Sequence, residues 1–146
     1  MIHILCVGRQ KEPHYMAAAE EYLKRLGRYA RVEVAEVREQ TDRNPETGKR
    51  KEAELLLGRL KEGTYLVALD SRGRQMPSEE FAQILKRTDV TFLVGGPDGL
   101  AQEVLDESDA VLSLSKMTFP HQLARVILLE QIYRGFTILS GERYHR

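Results

Sequence analysis

Three stretches of this chain carry residues whose types and spacing suit chemistry. The first, Leu112 to Arg134, reads LSLSKMTFPHQLARVILLEQIYR: small and hydroxyl residues, then Pro120, then the longest apolar helical run of the sequence. A chain that begins a helix in this way can hold a ligand against the helix N-terminus, where free N–H groups point outward. The second is the turn Gly95-Gly96-Pro97-Asp98-Gly99, whose paired glycines let backbone approach a ligand closely. The third is the terminal Tyr144-His145-Arg146. Candidate acid–base groups are His121 and His145, with Tyr144, Glu130 and Asp98 behind them. Charge follows the same division. Residues 65–115 carry four Lys and Arg against nine Asp and Glu, whereas residues 116–146 carry five against two. A local basic excess suits an anionic substrate, or is simply a solvated face.

Several chemistries are excluded. The glycine spacing matches neither the dinucleotide fingerprint nor the phosphate loop, and no Lys-Ser/Thr follows the turn. The four histidines (His3, His14, His121, His145) are scattered, without helical pairing or a Cys partner, so no metal site is expected. The single cysteine, Cys6, forbids an internal disulfide and points to the reducing cytoplasm; inside an apolar strand it reads as a small buried hydrophobe. No apolar run is long enough to span a membrane, and the N-terminal Met1 to Val7 reads as a strand rather than a signal peptide.

The elements that position these stretches alternate strand and helix. Ile2 to Val7 is a buried strand ended by Gly8. Pro13 opens a helix to Leu26 with Gly27 as its stop, and Tyr15, Ala18, Ala19, Tyr22, Leu23 and Leu26 form its apolar face. Val32 to Val37 alternates as a half-solvated edge strand. Polar Glu39 to Lys51 reads as a mobile loop; its end, Lys49-Arg50-Lys51, either touches RNA or is the first turn of a helix running to about Leu60. Tyr65 to Asp70 is a central strand, Ser71 to Gln75 a turn, and Ser78 the cap of the next helix. Val90 to Val94 and Ala110 to Ser115 are further strands, with a short helix between them ending near Glu107. Five such alternations in 146 residues predict one domain, a three-layer α/β/α sandwich with a mostly parallel sheet. On the last helix, Leu123, Val126, Ile127, Leu128, Leu129, Ile132 and Tyr133 fill two arcs, separated by Gln122 and Arg125 on one side and by Glu130, Gln131 and Arg134 on the other. Such a helix is covered on two sides. The second cover is either another element of the subunit or, as predicted here, the same helix of a homodimer.

The Gly95 to Leu100 turn, the Ser115-Lys116-Met117-Thr118-Phe119-Pro120-His121 run and the terminal Tyr144-His145-Arg146 together resemble the bacterial RlmH family, over the whole chain. That family belongs to the SPOUT class of S-adenosylmethionine-dependent RNA methyltransferases. The resemblance implies a C-terminal trefoil knot and an obligate dimer, although unknotted connections are the general rule. It implies methylation of N3 of a pseudouridine in 23S ribosomal RNA, in the loop that faces the small subunit, on the assembled ribosome. By position, Leu69, Gly95, Gly96, Leu114, Ser115, Lys116, Met117, Thr118 and Phe119 would hold S-adenosylmethionine, largely through backbone groups. His145, Tyr144 and Arg146 would be catalytic, with the tail of one subunit reaching the cofactor site of the other, and Arg125, Arg134 and Arg143 would meet substrate phosphate. Two rival readings are a non-enzymatic ribosome-associated factor and a dimeric enzyme acting on a small phosphorylated metabolite.

Overall fold

The computed structural model describes residues 1–146. Strands and helices alternate without exception: β1 (Ile2–Val7), α1 (Pro13–Leu26), β2 (Val32–Val37), α2 (Pro45–Leu57), β3 (Tyr65–Arg74), α3 (Ser78–Ile84), β4 (Val90–Val94), α4 (Gln102–Glu107), β5 (Ala110–Leu112) and α5 (His121–Leu139). The sheet order is β2-β1-β4-β3-β5, and every neighbouring pair is parallel. A parallel sheet needs a crossover between neighbours and cover on both faces, which the five helices supply.

Strand side chains alternate between two cores. Ile4, Cys6, Val67 and Phe92 face Leu26 of α1, Phe81 of α3 and Leu128 and Ile132 of α5. Leu5, Val7, Leu66, Ala68 and Leu93 face Leu56 of α2 and Val104 of α4. The result is the three-layer sandwich that the alternation predicts. Each fully buried side chain such as Phe92 or Ile132 is worth about 1.5–3 kcal/mol of apolar transfer. Cys6 is one of these core residues, and burial pushes its thiol up to about 12.

Five local expectations are corrected. The Glu39 to Lys51 stretch is half helix: Asn44 Oδ1 accepts the Glu46 N–H at 3.0 Å, and Pro45 opens α2 where its missing N–H is harmless. The same helix stops early, at Gly58. Ser71 to Gln75 is not a turn; β3 continues as far as Arg74, which pairs with Leu112 after a register shift. Ser78 does not cap α3, because its hydroxyl donates instead to Gln131 Oε1 of α5 at 2.6 Å. β5 is three residues long and ends at Leu112 rather than Ser115, so Ser113 onward is free to form a loop.

Candidate active site

β3, β4 and the segment after β5 end at the same edge of the sheet. β3 continues into α3 on one face and β4 into α4 on the other, so their connections part and leave a crevice beyond the strand ends. A cleft of about 380 Å³ lies there, within the range of small-molecule sites. Leu69 brings β3 to its rim, in register with Val94 and Leu112. Gly95 is packed against the turn that follows it: a Cβ there would stand 2.7 Å from the Gly99 carbonyl carbon. The turn itself is closed by the Gly99 N–H donating to the Gly96 carbonyl at 3.0 Å, with Gly99 at φ +81°, where a side chain is strained.

The third wall is the loop 114–119. The Ser113 hydroxyl donates to the Ser115 carbonyl, and the Ser115 hydroxyl accepts the Met117 N–H, both at 2.9 Å. Of the N–H groups of residues 114–119, only that of Met117 finds an acceptor within the chain. The loop therefore lines the cleft with backbone donors that no group of the chain uses, and such donors suit a heterocycle edge and a ribose. Helix α5 starts directly behind it, with His121 and Ala124 in the lining.

Charged groups complete the rim. Asp70 would be raised by burial, but the Arg72 side chain and backbone N–H outweigh this and hold its carboxyl below the usual range; Arg72 Nε lies 2.8 Å from Asp70 Oδ1. Burial first, and then Arg125, lower His121, which favours its neutral ring. Beneath Gly96 sits the buried Glu52, whose Oε2 accepts the Gln40 N–H at 2.9 Å.

The structure brings most of the expected cofactor residues together. Leu69, Gly95, Gly96, Leu114, Ser115, Met117, Thr118 and Phe119 all line the cleft; Lys116 is exposed and is not part of the lining. Lys49, Ser71 and Arg72 also line it: Lys49 belongs to the basic run expected at RNA or in a first helical turn, and nothing in the local sequence links any of the three to the glycine turn. Asp70 did leave a signal, a charge closing an apolar strand.

The expected catalytic tail lies elsewhere, docked on its own subunit. The Tyr144 hydroxyl donates to Glu130 Oε2 at 2.8 Å, and its ring meets Tyr133 edge-on. Burial and then Glu130 push this phenol far above its ordinary value, which makes it a donor and not a base. His145 Nδ1 is 3.1 Å from Arg134 Nη1, and Nε2 is 2.5 Å from Glu79 Oε1. An arginine can only donate, so Nδ1 accepts and Nε2 carries the proton toward Glu79. Arg134 is further held by both oxygens of Glu130, at 3.2 and 2.9 Å. Arg143 and Arg146 are exposed. Arg125 is the clear departure from expectation. It is 5% exposed and donates to Glu36 Oε2 and to the Val7 and Gly8 carbonyls, so it stitches the fold and meets no substrate phosphate.

Comparison with known proteins agrees with this architecture. The family model described as "Predicted SPOUT methyltransferase" matches residues 1–145. The ribosomal RNA large subunit methyltransferase H of Pelotomaculum thermopropionicum is 51% identical over 99% of this chain and 98% of its own. That of Caldicellulosiruptor saccharolyticus is 46% identical over 100% of both. Among solved structures, a probable methylase family protein from Haemophilus influenzae Rd KW20 superposes with a TM-score of 0.60 at 12% identity, covering 99% of this chain and 70% of that one, a likeness of fold.

Proposed function

The chain belongs to the SPOUT methyltransferases and, among them, to the RlmH family, and on that premise we propose that it methylates N3 of a pseudouridine in 23S ribosomal RNA within the assembled ribosome, using S-adenosylmethionine. The observation that carries the reading is the cleft at the strand ends, walled by the free backbone of residues 114–119. That donor set fits an adenosine-bearing cofactor. Leu69, Gly95, Gly96 and the loop Leu114 to Phe119 would hold it, with Asp70 at the rim. When bound, S-adenosylmethionine supplies a methyl group already activated on a sulfonium.

What remains for the protein is placement and proton removal. N3 of a uracil ring carries a proton at neutral pH, so a base must take it before or as N3 attacks. In this proposal His145 accepts that proton once its Nδ1 leaves Arg134, Tyr144, swung from Glu130, positions the base, and Arg143 and Arg146 stabilise the developing anion and its phosphates. In one subunit the tail does not line the cleft, so a tail in trans completes the site, and the working unit is a homodimer. Half-exposed apolar faces support this. Leu123, Val126 and Ile127 on α5 and Tyr15, Ala18 and Tyr22 on α1 are incompletely covered within the subunit. The proposal includes the trefoil knot. In its support, the Ser113 N–H donates to the Arg74 carbonyl at 3.0 Å, which brings the chain after β5 hard against the far end of β3. A chain acting on ribosomes works in the cytoplasm.

The test is to incubate the protein with tritiated S-adenosylmethionine and ribosomes from cells lacking the modification, with separated subunits and free ribosomal RNA in parallel. Label in large-subunit RNA only with assembled ribosomes is the expected result. Label in free RNA to the same level would overturn recognition of the assembled particle. Cofactor binding with no label in any RNA would overturn the substrate.

A further inference from the structure

Next to the cofactor cleft, and sharing His121 with it, lies a second cleft of about 560 Å³ at the C-terminal ends of β1 and β2. Three cations converge on it: Arg9 and Lys11 from the loop after β1, and Arg38 from the loop after β2. All three are exposed, and none forms an ion pair within the chain. Of the two carboxylates on the same walls, Glu36 is neutralised by Arg125 at 2.6 Å, which leaves only Glu39 to set against three positive charges. Val37 is the sole apolar side chain in the lining, so the cleft offers no anchor of the kind a protein partner uses.

The loop that presents Arg9 and Lys11 is held from several sides. The Gln10 N–H donates to Glu36 Oε2 at 2.8 Å, and the Lys11 and Glu12 N–H groups donate to Gln122 Oε1 at 3.1 and 3.3 Å. Gln10 Nε2 donates to the Gln122 carbonyl at 3.3 Å, and Arg125 takes the Val7 and Gly8 carbonyls. Gln122 and Arg125 flank the first turn of α5, the same turn that backs the cofactor loop. The helix that forms the floor of one cleft therefore also fixes the cations of the other.

We propose that Arg9, Lys11 and Arg38 form a phosphate-binding track for the RNA strand whose target base enters the cofactor cleft past His121. The proposal rests on the methyltransferase reading and deepens it. A polyanionic single strand fits because its phosphates can follow a groove of cations without any apolar contact, and a base turned out of the strand has the adjoining cleft to occupy. Lys11 and Glu39 lie close enough to His121 to bear on its charge, so strand and base meet at that residue.

The experiment compares wild type with the triple variant R9Q/K11Q/R38Q, with R9K/R38K, and with R59Q/K61Q at the opposite end of the sheet. Cofactor affinity is read by calorimetry, and methyl transfer to ribosomes is followed over a salt series. The triple variant keeps wild-type cofactor affinity, raises the KM for ribosomes about tenfold or more, and flattens the logarithmic salt dependence by about 2. R9K/R38K retains most of the wild-type KM, because a phosphate track reads point charge, and R59Q/K61Q is unchanged. A triple variant with the wild-type KM and salt slope would overturn the track and leave the methyltransferase reading standing. A wild-type chain that methylates no ribosomal RNA would overturn both. If the triple variant loses cofactor affinity, K11Q/R38Q carries the same two readings.

Discussion

Arg125 Nη1 stands 2.6 Å from Glu36 Oε2, and this pair ties α5 to β2 across the C-terminal end of β1. The two residues are 89 positions apart, and the guanidinium also takes the Val7 and Gly8 carbonyls. Removing the arginine strands two carbonyls and a carboxylate at once. Arg125→Met therefore lowers the unfolding free energy by about 1–3 kcal/mol, the usual cost of leaving buried acceptors unsatisfied. Glu36→Gln costs less, because Glu36 reaches water. Arg125→Lys fails as well, since one ammonium cannot span three acceptors. Urea denaturation at pH 7 checks the order; an Arg125→Met variant within 1 kcal/mol of wild type, by roughly the error of such measurements, would refute it.

A second prediction separates two glycines by what a methyl group would meet. At Gly73 an added Cβ would lie 2.5 Å from the Val111 carbonyl oxygen and 2.6 Å from its carbon, both backbone atoms of the neighbouring strand. At Gly135 it would lie 2.5 Å from Leu85 Cδ1, the far end of a flexible side chain. Gly73→Ala must push β3 from β5 and costs about 1–3 kcal/mol. It also weakens cofactor binding, because Ser71 and Arg72 ride on the same segment. Gly135→Ala needs only a rotamer change and regains helix propensity of up to about 1 kcal/mol. Melting temperatures in the reverse order would defeat the argument.

These residues also show where sequence reasoning reached and where it stopped. Helix α1 was legible to its ends because Pro13 and Gly27 punctuate a periodic apolar face. The cleft was legible because a parallel sheet puts its loops at one edge, and the glycine turn and the Ser115 to Phe119 run fall there. The outer half of β3 was not, since Ser71-Arg72-Gly73-Arg74 has the composition of a turn and pairs only through a register shift. Arg125, on a polar arc of the last helix and expected at substrate phosphate, is buried instead. Its burial depends on Glu36 and two strand-end carbonyls that no local pattern connects to it. The docked tail has the same cause: the partners His145 and Glu79 are 66 residues apart.

The third prediction concerns pH. Burial raises the Glu52 carboxyl above the usual range, opposed by the Gln40 N–H and aided by Glu39 and Asp98. A raised folded-state value means that Glu52 contributes stability in its protonated form. That contribution is complete below the ordinary glutamate value of 4.5 and is lost as pH rises through the folded-state value. Glu52→Gln keeps an acceptor for the Gln40 N–H and removes the titration. The variant should match wild type below the window and exceed it above, with urea midpoints at pH 4 and pH 8 as the measurement. A variant less stable than wild type at pH 8 would show that the ionised carboxylate is needed where it lies.

The last prediction asks whose tail serves which cleft. Within one subunit, Tyr144 is bound to Glu130 and His145 lies between Arg134 and Glu79, away from the residues that line the cofactor cleft. Gly95→Ala drives a Cβ to 2.7 Å from the Gly99 backbone and should abolish cofactor binding while leaving the tail intact. Deleting Tyr144 to Arg146 should leave cofactor binding intact and abolish transfer. Neither protein alone turns over. Unfolded together and refolded, they form mixed dimers in which one subunit offers a sound cleft and the other a sound tail. A tail acting in trans restores activity to roughly a quarter of wild type, because half of randomly formed dimers are mixed and each has one working site. A tail acting in cis restores none, since no subunit in the mixture holds both parts. Activity of the deletion variant by itself would remove the tail from the chemistry altogether.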